Sequence, residues 1–309
     1  MKLDEQRSGL ELGILHTIAY FDVFAYPLTK DQLNAFLSYN VTTENELNHA
    51  LDRLVEKKLI HTAQEYFYAS TRTEVIVRER LRYERRASRM LAHARWISFF
   101  LKRVPFVRAV FITGSLSKLV APEKSDIDYM IVTERNRLWI CKMLLTGFRR
   151  FLLFNSKKYF CMNLMVTDKG LYFPLHNYYT AVEIATTKLV WNSKAFQKLQ
   201  WENAWIREYL PNWRDHENGI RPLTDSPSVL QRWLEQGLSI FNLDRLNAAF
   251  MSTARKFWRR KCFGIDDAKF NSMIQCTPDI SSVWYSDHQA RIYEGYHQRL
   301  EYIGIEKTL

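Results

Sequence analysis

Two aspartates one residue apart, Asp126 and Asp128, are the residues whose types and spacing point most directly to chemistry. They begin an apolar stretch at 126–132 that is predicted as a β-strand. Side chains alternate along a strand, so both carboxylates should project from the same face of the sheet. Carboxylate oxygens are the ligands that Mg²⁺ prefers, and such metal sites stabilise charge during phosphoryl and nucleotidyl transfer. The pair therefore predicts a catalytic site for Mg²⁺ or Mn²⁺.

The dipeptide Gly114-Ser115 lies between a predicted strand at 107–112 and a predicted helix start at 115–119. A glycine lets the backbone approach a triphosphate closely, while Ser115 and the first amides of a helix can donate to phosphate oxygens. Cations near this turn would also favour phosphate, although lysines in loops are ordinarily solvated. The further candidate nucleotide-binding residues are Ser117, Lys118, Lys124 and Ser125.

The order of these features resembles the signature of nucleotidyltransferase domains of the DNA polymerase beta superfamily: an apolar strand, Gly-Ser, a spacer, and Asp-x-Asp in a second apolar strand. The resemblance covers residues 105 to 168. It implies a small mixed-sheet core that binds a nucleoside triphosphate with magnesium and transfers a nucleoside monophosphate to an acceptor.

One position departs from that pattern. Active members of the superfamily usually carry a third carboxylate on a later strand, predicted here at 159–166, but Asn163 stands at the corresponding position. An amide oxygen ligates a metal weakly and cannot act as a general base. Asp168, just past the strand, is an alternative third acid, although a turn-forming role suits its position better.

Two functions remain open at this point, a working nucleotidyltransferase and a catalytically degenerate nucleotide-binding protein that acts through nucleic-acid or protein binding. A DNA-binding regulator that uses the transferase fold only as a scaffold is a third hypothesis.

The segment 1–70 predicts a winged-helix-like domain. Helical spacing precedes Pro27, Thr29 can cap a second helix, and Thr43 with Glu46 predicts a capping box before a third. Two short strands should follow at 59–62 and 66–69. The third helix carries acidic as well as basic residues, which favours a protein-interaction or structural role over sequence-specific reading of DNA.

The rest of the chain divides into a basic linker helix at 71–104, a nucleotidyltransferase core at 105–175 and a helical region at 176–309. A helix is predicted at 138–154 within the core, and further helices at 181–191, 195–209, 229–258 and 287–303. The predicted fold class is α+β.

The charge and the hydropathy of the sequence limit which partners and which location are expected. Lys and Arg exceed Asp and Glu by 44 to 33, and basic residues cluster in the linker helix and at 255–261. These clusters predict nucleic-acid binding, or alternatively solvated helix faces.

No apolar run approaches 20 residues and no signal segment is evident, so a cytoplasmic location without a membrane is expected. The four cysteines lack CxxC spacing and are expected to be reduced.

Overall fold

The chain folds as helices packed around two β-sheets. A computed structural model describes residues 8–69, 71–152, 154, 156, 158–214, 220–226, 228–283 and 287–305. One sheet has three strands, and the other has six strands that run in mixed directions. The predicted α+β class with a mixed sheet is confirmed at this level. Within the described ranges, no helix has both the length and the apolar character needed to cross a membrane.

The N-terminal unit contains the three predicted helices and the predicted hairpin. Its elements are α1 (Gly9–Asp22), β1 (Leu28–Thr29), α2 (Lys30–Phe36), α3 (Glu44–Glu56), β2 (Ile60–Ala63) and β3 (Tyr66–Ala69). Strand β3 lies between β1 and β2 and is antiparallel to both. Thr29 caps α2 as predicted. Thr43 accepts a hydrogen bond from the Glu46 amide, but the Glu46 carboxylate bonds Thr42, so the predicted capping box is only half formed.

The central elements follow the predicted order, with bounds that differ by a few residues. They are α4 (Val75–Leu101), β4 (Val107–Thr113), α5 (Gly114–Ser117), β5 (Asp128–Thr133), α6 (Leu138–Leu152) and β6 (Cys161–Thr167). Strand β5 pairs antiparallel with β4 and parallel with β6. The strand predicted from Asp126 therefore begins at Asp128, and Asp126 lies in the preceding loop.

The C-terminal region is less uniformly helical than the sequence predicts. It contains α7 (Tyr178–Ala185), β7 (Lys188–Trp191), α8 (Ser193–Glu202), α9 (Ile206–Tyr209), α10 (Val229–Leu238), α11 (Leu243–Lys261), α12 (Asp267–Met273), β8 (Ile274–Cys276), β9 (Ile280–Val283) and α13 (Asp287–Tyr302). Three of these elements are strands of the large sheet, whose order is β7-β4-β5-β6-β9-β8. The α13 helix agrees with its prediction.

Three helix predictions in this region are wrong. The helix predicted at 181–191 ends at Ala185, and β7 then pairs with β4, which lets Leu189 and Val190 pack on opposite faces of the sheet. The helix predicted at 229–258 is two helices, because the Asn242 side chain accepts from the Arg245 amide and caps a new start. The helix predicted at 195–209 is likewise interrupted, at Asn203 between α8 and α9.

Both faces of the large sheet are covered. On one face Ile127, Tyr129 and Ile131 pack in a core with apolar residues of α4 and α6. On the other face Met130 and Val132 pack with residues that include one from α8. Period-two alternation therefore holds through this segment and assigns Asp128 to the second face.

The N-terminal unit contacts the large-sheet unit at the turn that follows α5. The Tyr26 hydroxyl donates to the Lys118 carbonyl oxygen at 2.8 Å and accepts from Nη2 of Arg80 at 2.7 Å. Nη1 of Arg80 donates to the Leu119 carbonyl oxygen at 3.1 Å, and the Arg80 side chain is fully buried. A buried guanidinium is stable only with such partners, so this contact fixes the turn.

Candidate functional site

Gly114 and Asp128 lie against each other where β4 ends and β5 begins. The antiparallel register pairs Thr113 with Asp128, which places the next residue, Gly114, beside the aspartate side chain. A Cβ at Gly114 would lie 2.5 Å from Oδ2 of Asp128, and the Gly114 φ angle is +70°. Both the conformation and the close approach require glycine. The sequence suggested a glycine for contact with phosphate, and the fold adds a contact with the carboxylate.

The two aspartates flank Ile127, whose backbone is hydrogen-bonded to the chain on either side of the start of β6. The amide of Ile127 donates to the Lys158 carbonyl oxygen at 3.0 Å, and the Ile127 carbonyl accepts from the Cys161 amide at 3.0 Å. Because Ile127 is buried in the core, its neighbours Asp126 and Asp128 are directed away from that core. They are also close enough for the charge of Asp126 to act on Asp128.

The pKa of Asp128 is raised to about 6, chiefly by burial and also by the negative charges of Asp126 and Glu183. A hydrogen bond from the Cys161 thiol and the positive charge of Lys118 oppose this rise. A carboxylate that is desolvated and repelled by two other acids is one whose charged form a cation would stabilise. The two carboxylates supply oxygen ligands of the kind that a hard divalent cation prefers.

The residue directly opposite Asp128 on the third strand is Cys161. The parallel register pairs Asp128 with Cys161 and Tyr129 with Met162, then shifts, so that Met130 pairs with Leu164. Asn163 lies at that irregularity, two residues beyond Cys161, and has no partner residue on β5. The prediction that Asn163 faces the aspartates stays a prediction, and the thiol of Cys161 is the group that contacts Asp128.

Asp168 lies at the other end of the sheet. It follows Thr167, which pairs with the last residue of β5, so the length of β6 separates it from Cys161. Seven residues of strand span about 20 Å. Its carboxylate accepts two hydrogen bonds from Arg135, both 2.6 Å long, and a third from Lys198. Asp168 is therefore an ion-pair partner of Arg135 and lies away from Asp126 and Asp128.

A third acid does reach the site, from an element that the sequence analysis did not consider. Glu183 lies on α7, and its Oε1 accepts a 2.7 Å hydrogen bond from Nζ of Lys118. The same ammonium group donates to the Gly114 carbonyl oxygen at 3.2 Å, and only 9% of the Lys118 side chain is exposed. One signal could have found Glu183, which is the sole acidic residue between Asp168 and Glu202.

The other predicted nucleotide-binding residues differ in their exposure and in the hydrogen bonds that they already make. Ser117 is buried, and its hydroxyl donates to the Gly114 carbonyl oxygen at 2.8 Å. Ser125 donates to the Pro122 carbonyl oxygen at 2.8 Å, within its own turn. Ser115 is half-buried and Lys124 is exposed. Since α5 is a single turn, its amides and not a long helix dipole are what a phosphate would contact.

The site therefore combines a glycine turn, two coupled aspartates, a lysine–glutamate pair and a thiol at one end of the large sheet. Within the part of the chain that the structure describes, no three His, Cys, Asp or Glu side chains converge tightly enough to form a metal-binding group. In comparisons with known proteins, no protein family, no curated protein and no solved structure matches the chain.

Proposed function

We propose that the chain is a nucleotidyltransferase-type protein that binds a nucleoside triphosphate with Mg²⁺ or Mn²⁺ and transfers a nucleoside monophosphate to an acceptor hydroxyl. The observation that carries this proposal is the contact between Gly114 and Asp128. It joins the two halves of the Gly-Ser and Asp-x-Asp pattern in space, although more than ten residues separate them in the chain. A solvated turn and an unrelated strand edge would not need that contact.

Each group has a defined part in this reaction. Asp126 and Asp128 would hold the divalent cation, which neutralises charge on the phosphate oxygens when it is bound. The amides at Gly114 and Ser115 would orient the triphosphate, and Lys118 would supply positive charge. The acceptor oxygen attacks the α-phosphorus, the bond to pyrophosphate breaks, and the hydroxyl proton leaves to water or to a nearby carboxylate.

The alternative is a degenerate protein that binds a nucleotide and turns it over slowly or not at all. Two observations favour it. The group opposite Asp128 is the thiol of Cys161 and not a carboxylate, and Lys118 is held by Glu183. Loss of a general base lowers the rate about 10²- to 10⁴-fold. Nucleotide binding would survive, because it depends on other groups.

The experiment that separates these outcomes measures binding and turnover on the same samples. Calorimetry with each triphosphate is run with and without Mg²⁺ or Mn²⁺, and label transfer from each α-labelled triphosphate to cell extract is followed in parallel. We expect divalent-dependent binding that the double variant Asp126→Asn/Asp128→Asn abolishes and that the control Asp168→Asn retains. Unchanged metal–nucleotide affinity in the double variant would refute the site.

A further inference from the structure

We propose that the carboxyl-terminal ends of α6 and α11 together form a binding surface for single-stranded nucleic acid. This surface, the α6–α11 tip, is defined as residues 149–151 together with residues 255–263. It lies outside the candidate nucleotide site and unites two basic segments that are remote in the sequence.

The two helices run side by side in the same direction. Near their starts, Nη1 of Arg137 bonds Oδ1 of Asp244 at 2.6 Å, and Oδ1 of Asn247 accepts from the Trp139 amide at 2.9 Å. Further along, the charges of Lys142 on α6 and Arg255 on α11 both act on the thiol of Cys276. Twelve residues of helix rise about 18 Å. Position 151 of α6 is therefore level with position 259 of α11, which places the two basic ends at the same height of the helix pair.

The tip is basic without compensating acids in either segment. No acidic residue occurs between Glu134 and Asp168, or between Asp244 and Asp266. The basic residues of the tip are Arg149, Arg150, Arg255, Lys256, Arg259, Arg260 and Lys261. Of these, Arg259 is paired with Asp267. A helix C-terminus is complemented by one or two cations, so this number exceeds what the helix dipoles explain.

Exposed phenylalanines stand among these cations. Phe151 is 79% exposed, Phe257 57% and Phe263 93%. A solvated helix face, the ordinary reading of basic residues, gives no reason for exposed aromatic rings beside them. Single-stranded nucleic acid does, because its phosphates pair with Arg and Lys while its unstacked bases pack on aromatic rings. Duplex DNA would leave the rings without partners.

An anionic lipid surface would also attract basic and aromatic side chains, but the position of the tip in the fold favours nucleic acid. Helix α6 leads directly towards β6, and the Lys158 carbonyl oxygen in that connection accepts from the amide of Ile127, which lies between the two aspartates. The tip and the candidate site are therefore at the same end of the large sheet. On the proposed function, on which this step rests, a strand bound at the tip would present its terminal hydroxyl as the acceptor.

The test uses the full chain and fluorescein-labelled oligonucleotides of about 20 nucleotides, which exceeds the usual length of a single-strand site. Anisotropy is measured for single-stranded RNA, single-stranded DNA and a duplex over a range of salt. The tip variant is Arg255→Gln/Lys256→Gln/Arg260→Gln. Its matched control is Arg82→Gln/Arg85→Gln/Arg89→Gln, which removes the same charge from exposed positions of α4.

We expect the tip variant to weaken single-strand binding about tenfold or more and to lower the salt slope by about 2, since each phosphate contact contributes about 0.7. The α4 control should change affinity less than threefold. For the aromatic contribution, Phe257→Ala should weaken binding about fivefold or more at high salt, where stacking persists. Phe241→Ala, at a similarly exposed ring between α10 and α11, should leave it unchanged.

Three outcomes would overturn the proposal: no oligonucleotide bound at low salt, equal losses in the tip and α4 variants, or tighter binding to phosphatidylserine vesicles than to oligonucleotide. Nucleotide and Mg²⁺ binding, measured on the same samples, separate this proposal from the proposed function. Intact nucleotide binding without oligonucleotide binding refutes the tip alone. Oligonucleotide binding that depends on the tip, without nucleotide binding, supports the tip and refutes the transferase assignment.

Discussion

Replacement of Asp128 by asparagine should stabilise the protein at neutral pH. The pKa of this carboxyl is raised from 3.8 to about 6, chiefly by burial. Each unit of pKa shift corresponds to about 1.4 kcal/mol, so the ionised form destabilises the fold by about 3 kcal/mol. Asparagine has nearly the same shape and no charge. We expect a gain of about 1 to 3 kcal/mol in the free energy of unfolding, the lower value if the new amide lacks a partner.

The sign and the pH window follow from the direction of the shift. Below pH 3.8 the carboxyl is neutral in the folded and unfolded states, so the variant and the wild type should be equally stable. Between pH 3.8 and about 6 the unfolded state ionises first, and the wild type loses stability relative to the variant. Above pH 6 the difference should be constant.

Urea unfolding between pH 4.5 and 8, without divalent cations, measures this difference. Asp168→Asn is the matched control with the opposite sign, because hydrogen bonds from Arg135 lower the pKa of Asp168. That variant should be less stable than the wild type by an amount that stays constant between pH 4.5 and 8, because the stabilisation from a lowered pKa is complete above the unfolded value of 3.8 and is lost only at lower pH. Saturating Mg²⁺ should narrow the Asp128 difference by stabilising the wild type. If Asp128→Asn is destabilising at pH 7.5, or its effect does not vary with pH, the reasoning about burial and repulsion is wrong.

Three further predictions concern the same region. Gly114→Ala should cost about 1 to 3 kcal/mol in urea unfolding, because the φ angle is +70° and the new Cβ would meet Oδ2 of Asp128, and part of this loss should disappear in combination with Asp128→Ala. Cys161→Asp should tighten Mn²⁺ binding more than Asn163→Asp in calorimetry, since Cys161 is the residue paired with Asp128, and the reverse order would restore Asn163 as the third position. Tyr26→Phe should lower the free energy of unfolding by about 1 to 3 kcal/mol, because buried Arg80 loses a hydrogen-bond partner. An unchanged free energy of unfolding would show that the Tyr26–Arg80 contact does not stabilise the turn after α5.

Local rules sufficed for several features. The helices of the N-terminal unit follow from apolar spacing and from caps within four residues, and Thr29 bonds as its sequence context predicts. The strands that flank Gly114 follow from short apolar runs. The side-chain directions of Asp126 and Asp128 follow from alternation along an extended chain, although regular strand pairing begins only at Asp128. In each case the information lies within a few residues, so the sequence alone carries it.

Other features depended on packing between distant segments. Which residue of β6 lies opposite Asp128 is decided by strand register and by one irregularity, and this places Cys161 there. Glu183 reaches the site because α7 packs beside the glycine turn, and no spacing rule links it to Lys118, 65 residues away. Asp168 is excluded because a parallel strand carries it to the far end of the sheet.

The sequence by itself thus determined the glycine turn, the pair of aspartates and the elements that carry them, because hydrogen bonding and side-chain alternation along a single segment are local. Only the tertiary structure decided which groups surround that pair, namely the Cys161 thiol and the Lys118–Glu183 ion pair. The packing of α11 against α6, remote from that pair, was likewise decided by the tertiary structure. The strands β7, β8 and β9 were also decided there, since a segment of three or four residues becomes a strand only where a sheet edge offers it hydrogen bonds. Register and packing depend on all segments together, and no single stretch of sequence records them.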